Sequence, residues 1–248
     1  NVPRVKMPLW DEDSVYFHEY HYPVAGEPSS SVRIGMIDLK DGNTEWINLP
    51  KAYYIPRIAF SQNPDLLTIQ ALNRKQNELI FYVYDRKTLE VKELFREKSE
   101  GWIEISDDLR FVGDTEFIWK SDRNGYAHIY KYSLKGGEPV QLTSGNWEVD
   151  EIGAYNKYKD EIIFTSTEEG VTGRQVYKIK SNGNGKVKLT SGTGSNKILS
   201  EDDSDYFIIR HSSSEEMPSY SLIRSSDRMQ KKLTFNEFPA EYKLQKPE

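Results

Sequence analysis

The sequence predicts an all-β fold, and within that class a β-propeller built from four-stranded blades. A leucine at the end of a short strand recurs at intervals of 45, 48, 47 and 44 residues. These leucines are Leu49, Leu94, Leu142, Leu189 and Leu233. A period near 45 residues, filled with short strands, is typical of propeller blades. The 16 tyrosines also favour a sheet protein, because tyrosine suits a pleated, half-buried surface.

The clearest repeat unit spans residues 102–147. Residues 117–120 read as a strand, and Asn124-Gly125 reads as a turn because both residues accept the positive φ that a tight hairpin needs. Residues 127–132 alternate and read as the next strand. Residues 139–143 read as the outer strand, whose first residue is a proline, which an edge strand tolerates. We expect Trp119 and Tyr130 to fill the core between sheets.

The same order of strands and turns predicts a single domain over residues 1–248, with four complete blades and one partial blade. The predicted limits are 1–50 for the partial blade, 51–100, 101–147, 148–193 and 194–237 for the full blades, and 238–248 for an exit linker. In the partial blade, residues 32–39 and 45–49 form strands around a turn at 41–43, and the inner strands are missing or incomplete. Such an open edge can pair with another chain.

Composition excludes several classes of function. The net charge is −6 with the two signs interspersed, whereas a nucleic-acid surface needs clustered basic residues. No apolar run approaches the roughly 18–20 residues that cross a bilayer, so no membrane segment is expected. Cysteine is absent, which excludes disulfides and thiolate metal sites. The sequence has no phosphate-binding glycine loop or dinucleotide fingerprint, so no cofactor is expected.

Three groups of residues look like reactive sites but lack the required arrangement. His18 and His21 would lie on opposite faces of a strand, where they cannot converge on a metal ion. A serine hydrolase needs a Gly-x-Ser-x-Gly elbow, and residues 191–195 match it in composition but not in spacing. His211 beside the serines at 212–214 reads as a solvated loop between strands. We therefore expect neither a metal site nor a catalytic residue.

Several local motifs go beyond the pattern of blades. They are Tyr-Pro-Val-Ala-Gly-Glu-Pro at 22–28, Gly-Trp-Ile at 101–103, the hairpin at 121–130, Gly-Asn-Trp-Glu-Val at 145–149 and Gly-Arg-Gln-Val-Tyr at 173–177. Together, in this order, they resemble the N-terminal β-propeller of dipeptidyl peptidase IV and its bacterial relatives, serine peptidases of the prolyl oligopeptidase clan. The signatures of WD40 and kelch propellers are absent.

The resemblance implies that the chain is the second half of an eight-bladed propeller that caps an α/β-hydrolase domain. The family's catalytic triad lies in that hydrolase domain, and the glutamate pair that holds the peptide's ammonium group lies in an earlier blade. The pairs Glu168-Glu169 and Glu215-Glu216 do not match its position. The resemblance also implies a homodimer. The family's dimer arm aligns with the hairpin of the partial blade. In this sequence a short turn at 39–44 closes that hairpin, so the arm is shorter and the dimer contact is open to question.

The candidate substrate-binding residues are Trp102 and Glu104. Some members of the family place an aromatic residue and an arginine just after the Gly-Trp element, facing the substrate. Here residues 103–106 read Ile-Glu-Ile-Ser, which differs from that family pattern. In this sequence Glu104 is the residue that could face the substrate cavity. Trp102 has an alternative role, because it could pack in the core or at the rim of the propeller instead of contacting the substrate.

The implied function is the non-catalytic propeller of an exopeptidase that removes N-terminal dipeptides with Pro or Ala at the penultimate position. Its partners would be a peptide with a free N-terminus, the hydrolase domain and upstream blades. The implied location is the periplasm or cell envelope of a bacterium. The alternative is a stand-alone propeller that binds proteins or peptides, as in propellers related to the Tol system.

Overall fold

Twenty strands and no helix make up residues 2–234, the part of the chain that the computed structural model describes. Two antiparallel pairs of strands come first. They are the N-terminal hairpin, β1 (Arg4–Asp11) with β2 (Ser14–His21), and the half-blade, β3 (Ile34–Ile37) with β4 (Thr44–Ile47). The half-blade corresponds to the predicted partial blade, and its turn is short, because Gly42 donates its N–H back to the Asp38 carbonyl (2.8 Å).

Four antiparallel sheets of four strands follow, each with its strands side by side in chain order. Blade 1 contains β5 (Tyr54–Phe60), β6 (Leu66–Leu72), β7 (Glu78–Asp85) and β8 (Glu90–Lys98). Blade 2 contains β9 (Arg110–Val112), β10 (Glu116–Ser121), β11 (His128–Ser133) and β12 (Val140–Gln141). Blade 3 contains β13 (Val149–Asn156), β14 (Glu161–Ser166), β15 (Gln175–Lys180) and β16 (Val187–Lys188). Blade 4 contains β17 (Ser195–Leu199), β18 (Tyr206–Ser212), β19 (Ser219–Arg224) and β20 (Gln230–Lys232).

The core lies between successive blades, which pack face to face. Strand β7 shows how the sequence achieves this, because its side chains alternate between two neighbours. Phe81 and Val83 face blade 2, while Tyr82 and Tyr84 face the half-blade. A strand buried on both faces reads as a continuous apolar run, as β7 does. Phe81 stacks on Phe117 of blade 2 with ring centroids 4.9 Å apart, an arrangement that aromatic pairs favour.

The recurring Leu-Thr pair has a defined role in blades 2, 3 and 4. In each, the leucine N–H donates to a carbonyl of the third strand, and the threonine hydroxyl accepts the N–H of the same residue. The residues that are bonded twice are Ile129, Val176 and Tyr220. The threonine side chain thus continues the hydrogen-bond ladder after the main-chain pairing has ended, which explains why the two residues recur together.

The predicted all-β propeller is confirmed, with four complete blades and a two-stranded partial blade. Trp119 and Tyr130 lie in the core between blades 1 and 2, as expected. The blade limits and the single domain stay predictions, and the exit linker at 238–248 lies outside the described residues. The sequence did not indicate the N-terminal hairpin. It also placed the opening of the second blade at Gly101, whereas the first strand of that blade begins at Arg110.

Candidate functional site

The segment between β8 and β9 carries both predicted site residues. The backbone N–H of Ile103 donates to the Gln76 carbonyl (2.9 Å), which ties the segment to blade 1. Ile103 and Ile105 pack on the core between blades 1 and 2. Because side chains alternate along an extended segment, Trp102 and Glu104 point away from that core, and both are exposed.

A cavity of about 310 Å³ lies beside this segment, at the end of the propeller that carries the β10–β11 turn. Glu104 lines the cavity together with Asp122, Glu148 and Asp150. Trp102 does not line it and is 57% exposed, so the structure places Trp102 outside the core. The two predicted residues are therefore neighbours in sequence that do not share one site.

The cavity is acidic. Lys120 is committed to a salt bridge with Asp108 (2.6 Å) and to the Asp150 carbonyl (2.5 Å), and Arg174 pairs with the Asp150 carboxylate (2.9 Å). Glu97, which also lines the cavity, pairs with Arg123 (3.0 Å). The remaining carboxylates of the lining form no ion pair with any residue between 2 and 234. They are Glu104, Asp122 and Glu148. The cavity thus presents uncompensated negative charge, which attracts a cationic group.

Glu151 follows Asp150 in the first strand of blade 3. Burial raises the pKa of its carboxyl group, and the carboxylates of Asp108 and Asp150 raise it further against the attraction of Lys197. Like charges disfavour one another's ionised form. Burial is thus the main cause of the raised pKa, and the charges around Glu151 act on it in both directions.

Arg123 fixes the wall of the cavity by joining blades 1 and 2. Its guanidinium pairs with Glu97 (3.0 Å), bonds the Tyr132 hydroxyl and lies 4.7 Å from the Tyr130 ring centroid. Burial raises the pKa of the Tyr132 hydroxyl well above its usual value, against the opposing Arg123 charge. Arg123 therefore has a structural role. The Asp122 side chain lines the cavity, and the Asp122 carbonyl accepts the Gly125 N–H in the turn (2.8 Å).

His128 is a site-like residue whose role the sequence did not indicate. It is buried, and its Nδ1 and Nε2 atoms lie 3.1 Å from the Thr143 hydroxyl and 3.1 Å from the Gly145 carbonyl. Its ring meets Trp147 edge to face at 4.9 Å. With both ring nitrogens engaged and no access to solvent, His128 holds the blade 2 connection in place and is not free for catalysis. The Gly-x-Trp spacing at 145–147 was the available signal.

The remaining candidates from the sequence do not form reactive sites. The Nδ1 atom of His211 in β18 lies 3.0 Å from Asn196 Oδ1 in β17, and the Ser213 hydroxyl accepts the N–H groups of Glu215 and Glu216 to shape a turn. Among residues 2–234, no three His, Asp or Glu side chains are placed to hold a metal ion. The same residues contain no helix long and apolar enough to cross a bilayer.

Comparison with known families decides where this propeller belongs. Residues 1–218 match the model of the "Dipeptidyl peptidase IV (DPP IV) N-terminal region". The chain belongs to this family. The fold agrees with a crystal structure of dipeptidyl peptidase 4 from Porphyromonas gingivalis, at a TM-score of 0.85 and 32% identity over 94% of this chain. A putative dipeptidyl aminopeptidase IV from Bacteroides ovatus shares the fold, at a TM-score of 0.80 and 22% identity over 97% of this chain.

Fungal proteins are among the curated relatives of this DPP IV N-terminal region. A probable dipeptidyl peptidase 4 from Neosartorya fischeri is 26% identical over 173 residues, and dipeptidyl peptidase 4 from Trichophyton equinum is 27% identical over 185 residues. These matches cover 65% and 70% of this chain but 23% and 24% of the relatives. In the two bacterial structures, this chain covers 34% and 38% of the longer protein. The chain thus spans about a quarter to a third of the proteins that it resembles.

Proposed function

We propose that this DPP IV N-terminal region is the non-catalytic part of a serine exopeptidase that removes dipeptides from peptide N-termini, with Pro or Ala at the penultimate position. The observation that carries the proposal is the family match over residues 1–218, which joins the chain to proteins named dipeptidyl peptidase 4. The sequence has no Gly-x-Ser-x-Gly elbow, so the nucleophile has to come from outside these residues.

The propeller's part in this proposal is to gate access and to position the substrate. Packed blades around a channel exclude folded proteins and admit an extended peptide. The acidic cavity at Glu104 supports the positioning role, because a peptide's free N-terminus is an ammonium group. Asp122 and Glu148 lie around the same cavity and have no cationic partner among the described residues, so they add to its attraction for an incoming amine.

The test compares the protein as its gene encodes it with the 248-residue chain. We expect the encoded protein to hydrolyse glycyl-prolyl-p-nitroanilide and the chain alone to leave it intact. Turnover by the chain alone would contradict the assignment of catalysis to another part. If the encoded protein binds peptides but never cleaves them, its function is that of a stand-alone peptide-binding propeller and not that of a peptidase.

Glu104→Gln in the encoded protein tests the positioning role separately. The KM should rise about two- to fivefold with little change in kcat, because an exposed charge pair contributes roughly 0.2–1 kcal/mol. Asp13→Asn, which changes an exposed carboxylate in the β1–β2 turn, is the matched control. An unchanged KM in Glu104→Gln would remove this residue from the substrate path while leaving the peptidase assignment intact.

The protein partners follow from the same proposal. The outer faces of the half-blade and of blade 4 expose apolar side chains, among them Ile37, Trp46 and Tyr206. Further blades and a hydrolase domain would cover such faces. A second copy of the protein is the third proposed partner, and the exposed N-terminal hairpin is the best candidate for the contact.

We also propose that the protein lies in the periplasm or cell envelope of a bacterium. This proposal is supported by the resemblance to bacterial peptidases, and fractionation of cells would test it.

A further inference from the structure

A second, larger cavity lies between blades 3 and 4, at the end of the propeller that carries the β18–β19 turn, and the proposed function does not use it. Its volume is about 670 Å³, within the roughly 300–1,000 Å³ that is common for small-molecule sites. Blade 3 contributes residues 190–193, which follow β16, and blade 4 contributes its strands and the turn at 213–216. Ile209 lines the cavity and also belongs to the core between these two blades.

Hydroxyl groups make up much of the cavity wall. Seven serine and threonine residues line it, among them Ser191, Ser219 and Ser221, whereas Ile209 is the one large apolar residue among the described residues of the lining. A hydroxyl group both donates and accepts hydrogen bonds. The wall thus suits a ligand with many polar groups and offers little to the apolar side chains of a peptide.

Ser221 is the residue that indicates a ligand. It is 9% exposed, and its hydroxyl forms no hydrogen bond with any residue between 2 and 234. Its side chain points towards blade 3, because it lies two residues before Ile223, which packs there. Unlike the Thr165 hydroxyl, which is fully enclosed, the Ser221 hydroxyl stays accessible from the cavity. Buried polar groups almost always have a partner, so an accessible hydroxyl without one indicates an occupant that hydrogen-bonds to it.

His211 and Asn196 add a fixed acceptor to the wall. The Asn196 carboxamide donates to the Arg174 carbonyl (2.7 Å) and accepts from His211 Nδ1 (3.0 Å), so the connection to blade 3 sets the orientation of the imidazole ring. With Nδ1 as the donor, Nε2 of the neutral ring is an acceptor. This atom lies 3.4 Å from Glu216 Oε2 in the lining of the cavity. Two acceptors side by side favour a ligand that brings hydrogen-bond donors.

The charged groups of the wall carry both signs. Glu215 and Glu216 are acidic, and Lys232 of β20 is basic. Neither a cation nor an anion therefore meets a surface of one sign, and either would lose hydration on entering the cavity. These charges favour an uncharged ligand.

We propose that this cavity binds an uncharged sugar ring. Such a ring carries hydroxyl groups around its edge, which can donate to His211 Nε2 or to Glu216 and accept from Ser221. Its carbon skeleton needs only a small apolar contact, which Ile209 supplies. Water molecules are the competing occupants, since they also satisfy polar walls. The inference goes beyond the proposed function, because it requires neither a peptide nor hydrolysis.

The test measures binding of methyl β-D-glucopyranoside to the protein as its gene encodes it, by saturation-transfer difference nuclear magnetic resonance. We expect saturable transfer to the ring protons, with a dissociation constant of about 1–10 mM, because an open site orders the ligand through few contacts. Cyclohexylmethanol has a ring of the same size with one hydroxyl group and should bind at least about tenfold more weakly. Glucose 6-phosphate should bind no more tightly than the glucoside.

Three results would overturn the proposal. Transfer that does not saturate with the glucoside would leave a cavity that holds only water. Equal binding of cyclohexylmethanol would show that the hydroxyl groups of the wall select nothing. Tighter binding of glucose 6-phosphate would make the cavity an anion site.

Two variants and a matched control locate the binding. Ser191→Trp fills the cavity from an exposed position and should abolish saturable transfer. Ser144→Trp is its control, because Ser144 is also exposed and follows the Leu-Thr pair of blade 2 as Ser191 follows that of blade 3. Ser221→Ala should weaken binding about three- to tenfold through the lost hydrogen bond. Wild-type affinity in Ser191→Trp or Ser221→Ala, or an equal loss in Ser144→Trp, would contradict the site, and Ser191→Trp keeps the test decisive even if Ser221→Ala folds poorly.

A free sugar and the end of a glycan chain share this chemistry, and cellotriose distinguishes the two sources. Binding of cellotriose at least as tight as that of the glucoside would assign the cavity to a chain end. Weaker binding of cellotriose would assign it to a free monosaccharide. In both cases Ser191→Trp should remove the signal.

Discussion

At the scale of single residues, buried threonines in the blades show how one hydroxyl can stabilise or destabilise the fold. The Thr143 hydroxyl accepts the Ile129 N–H (3.0 Å) and contacts His128. The Thr165 hydroxyl is equally buried, but it has no hydrogen-bond partner among residues 2–234. A hydrogen bond contributes modestly to stability, whereas a buried polar group without a partner carries its full desolvation cost.

Replacing each threonine with valine should therefore change stability in opposite directions. We expect Thr165→Val to raise the free energy of unfolding by about 1 kcal/mol, because it removes an unsatisfied hydroxyl at nearly constant shape. Thr143→Val should lower it by roughly 1–3 kcal/mol, since the Ile129 N–H loses its acceptor. Urea unfolding of the two variants measures both effects, and a loss of stability in Thr165→Val would mean that its hydroxyl has a partner.

At the scale of elements, an acidic loop joins blades 3 and 4. The Asp202 and Asp203 carboxylates accept the backbone N–H groups of Tyr155 (2.8 Å) and Lys157 (2.9 Å). The Lys157 ammonium also pairs with Asp203 (2.6 Å), and Lys159 pairs with Asp205 in the same way. The loop before β18 thus holds the β13–β14 turn of the neighbouring blade through ionised carboxylates.

This loop should make the contact between blades 3 and 4 sensitive to acid. Burial works to raise the pKa of Asp203 and of Asp205, but the hydrogen bonds and charges of their lysine partners outweigh it, so both pKa values lie below the usual value. A carboxyl whose pKa is lowered by folding stabilises the protein above its unfolded pKa of about 3.9. That contribution is lost as the pH falls through the lower, folded value.

We therefore expect the thermal midpoint of the wild type to fall steeply below about pH 4. In the double variant Asp203→Asn with Asp205→Asn, the midpoint should be lower at neutral pH and should fall less on acidification. Asp13→Asn in the exposed β1–β2 turn serves as the control. Parallel curves for the wild type and the double variant would show that the acidic loop contributes no pH-dependent stability.

The strands that the sequence predicted and those that it missed differ in burial. Strands such as β7 and β10 pack between sheets, so runs of apolar and aromatic residues identify them. In β1 and β2, by contrast, only Val5 and Tyr20 are partly buried, and apolar residues occur on both faces. A hairpin whose faces stay exposed among residues 2–234 leaves no alternating pattern. The cavities were also not predictable, because they depend on which loops of different blades come together.

At the scale of the whole molecule, the N-terminal hairpin is the feature that the propeller does not explain. Register places Trp10 opposite Val15 and Pro8 opposite Phe17, so these four side chains share one face. Trp10 is 81% exposed and Phe17 is 62% exposed. Contiguous exposed aromatic groups mark interaction surfaces in soluble proteins. The half-blade turn, where the resemblance placed a dimer arm, is too short to extend in this way.

We expect the protein to form a homodimer through this hairpin face. Replacing Trp10 and Phe17 with serine removes the large aromatic groups that most often dominate interface energies, and should shift the sedimentation mass towards that of one chain. Leu39→Ser is the control, since Leu39 is 95% exposed in the half-blade turn and lies outside the hairpin. A wild type that sediments as a monomer, or a doubled mass in the Trp10 and Phe17 variant, would exclude the hairpin face as the dimer contact.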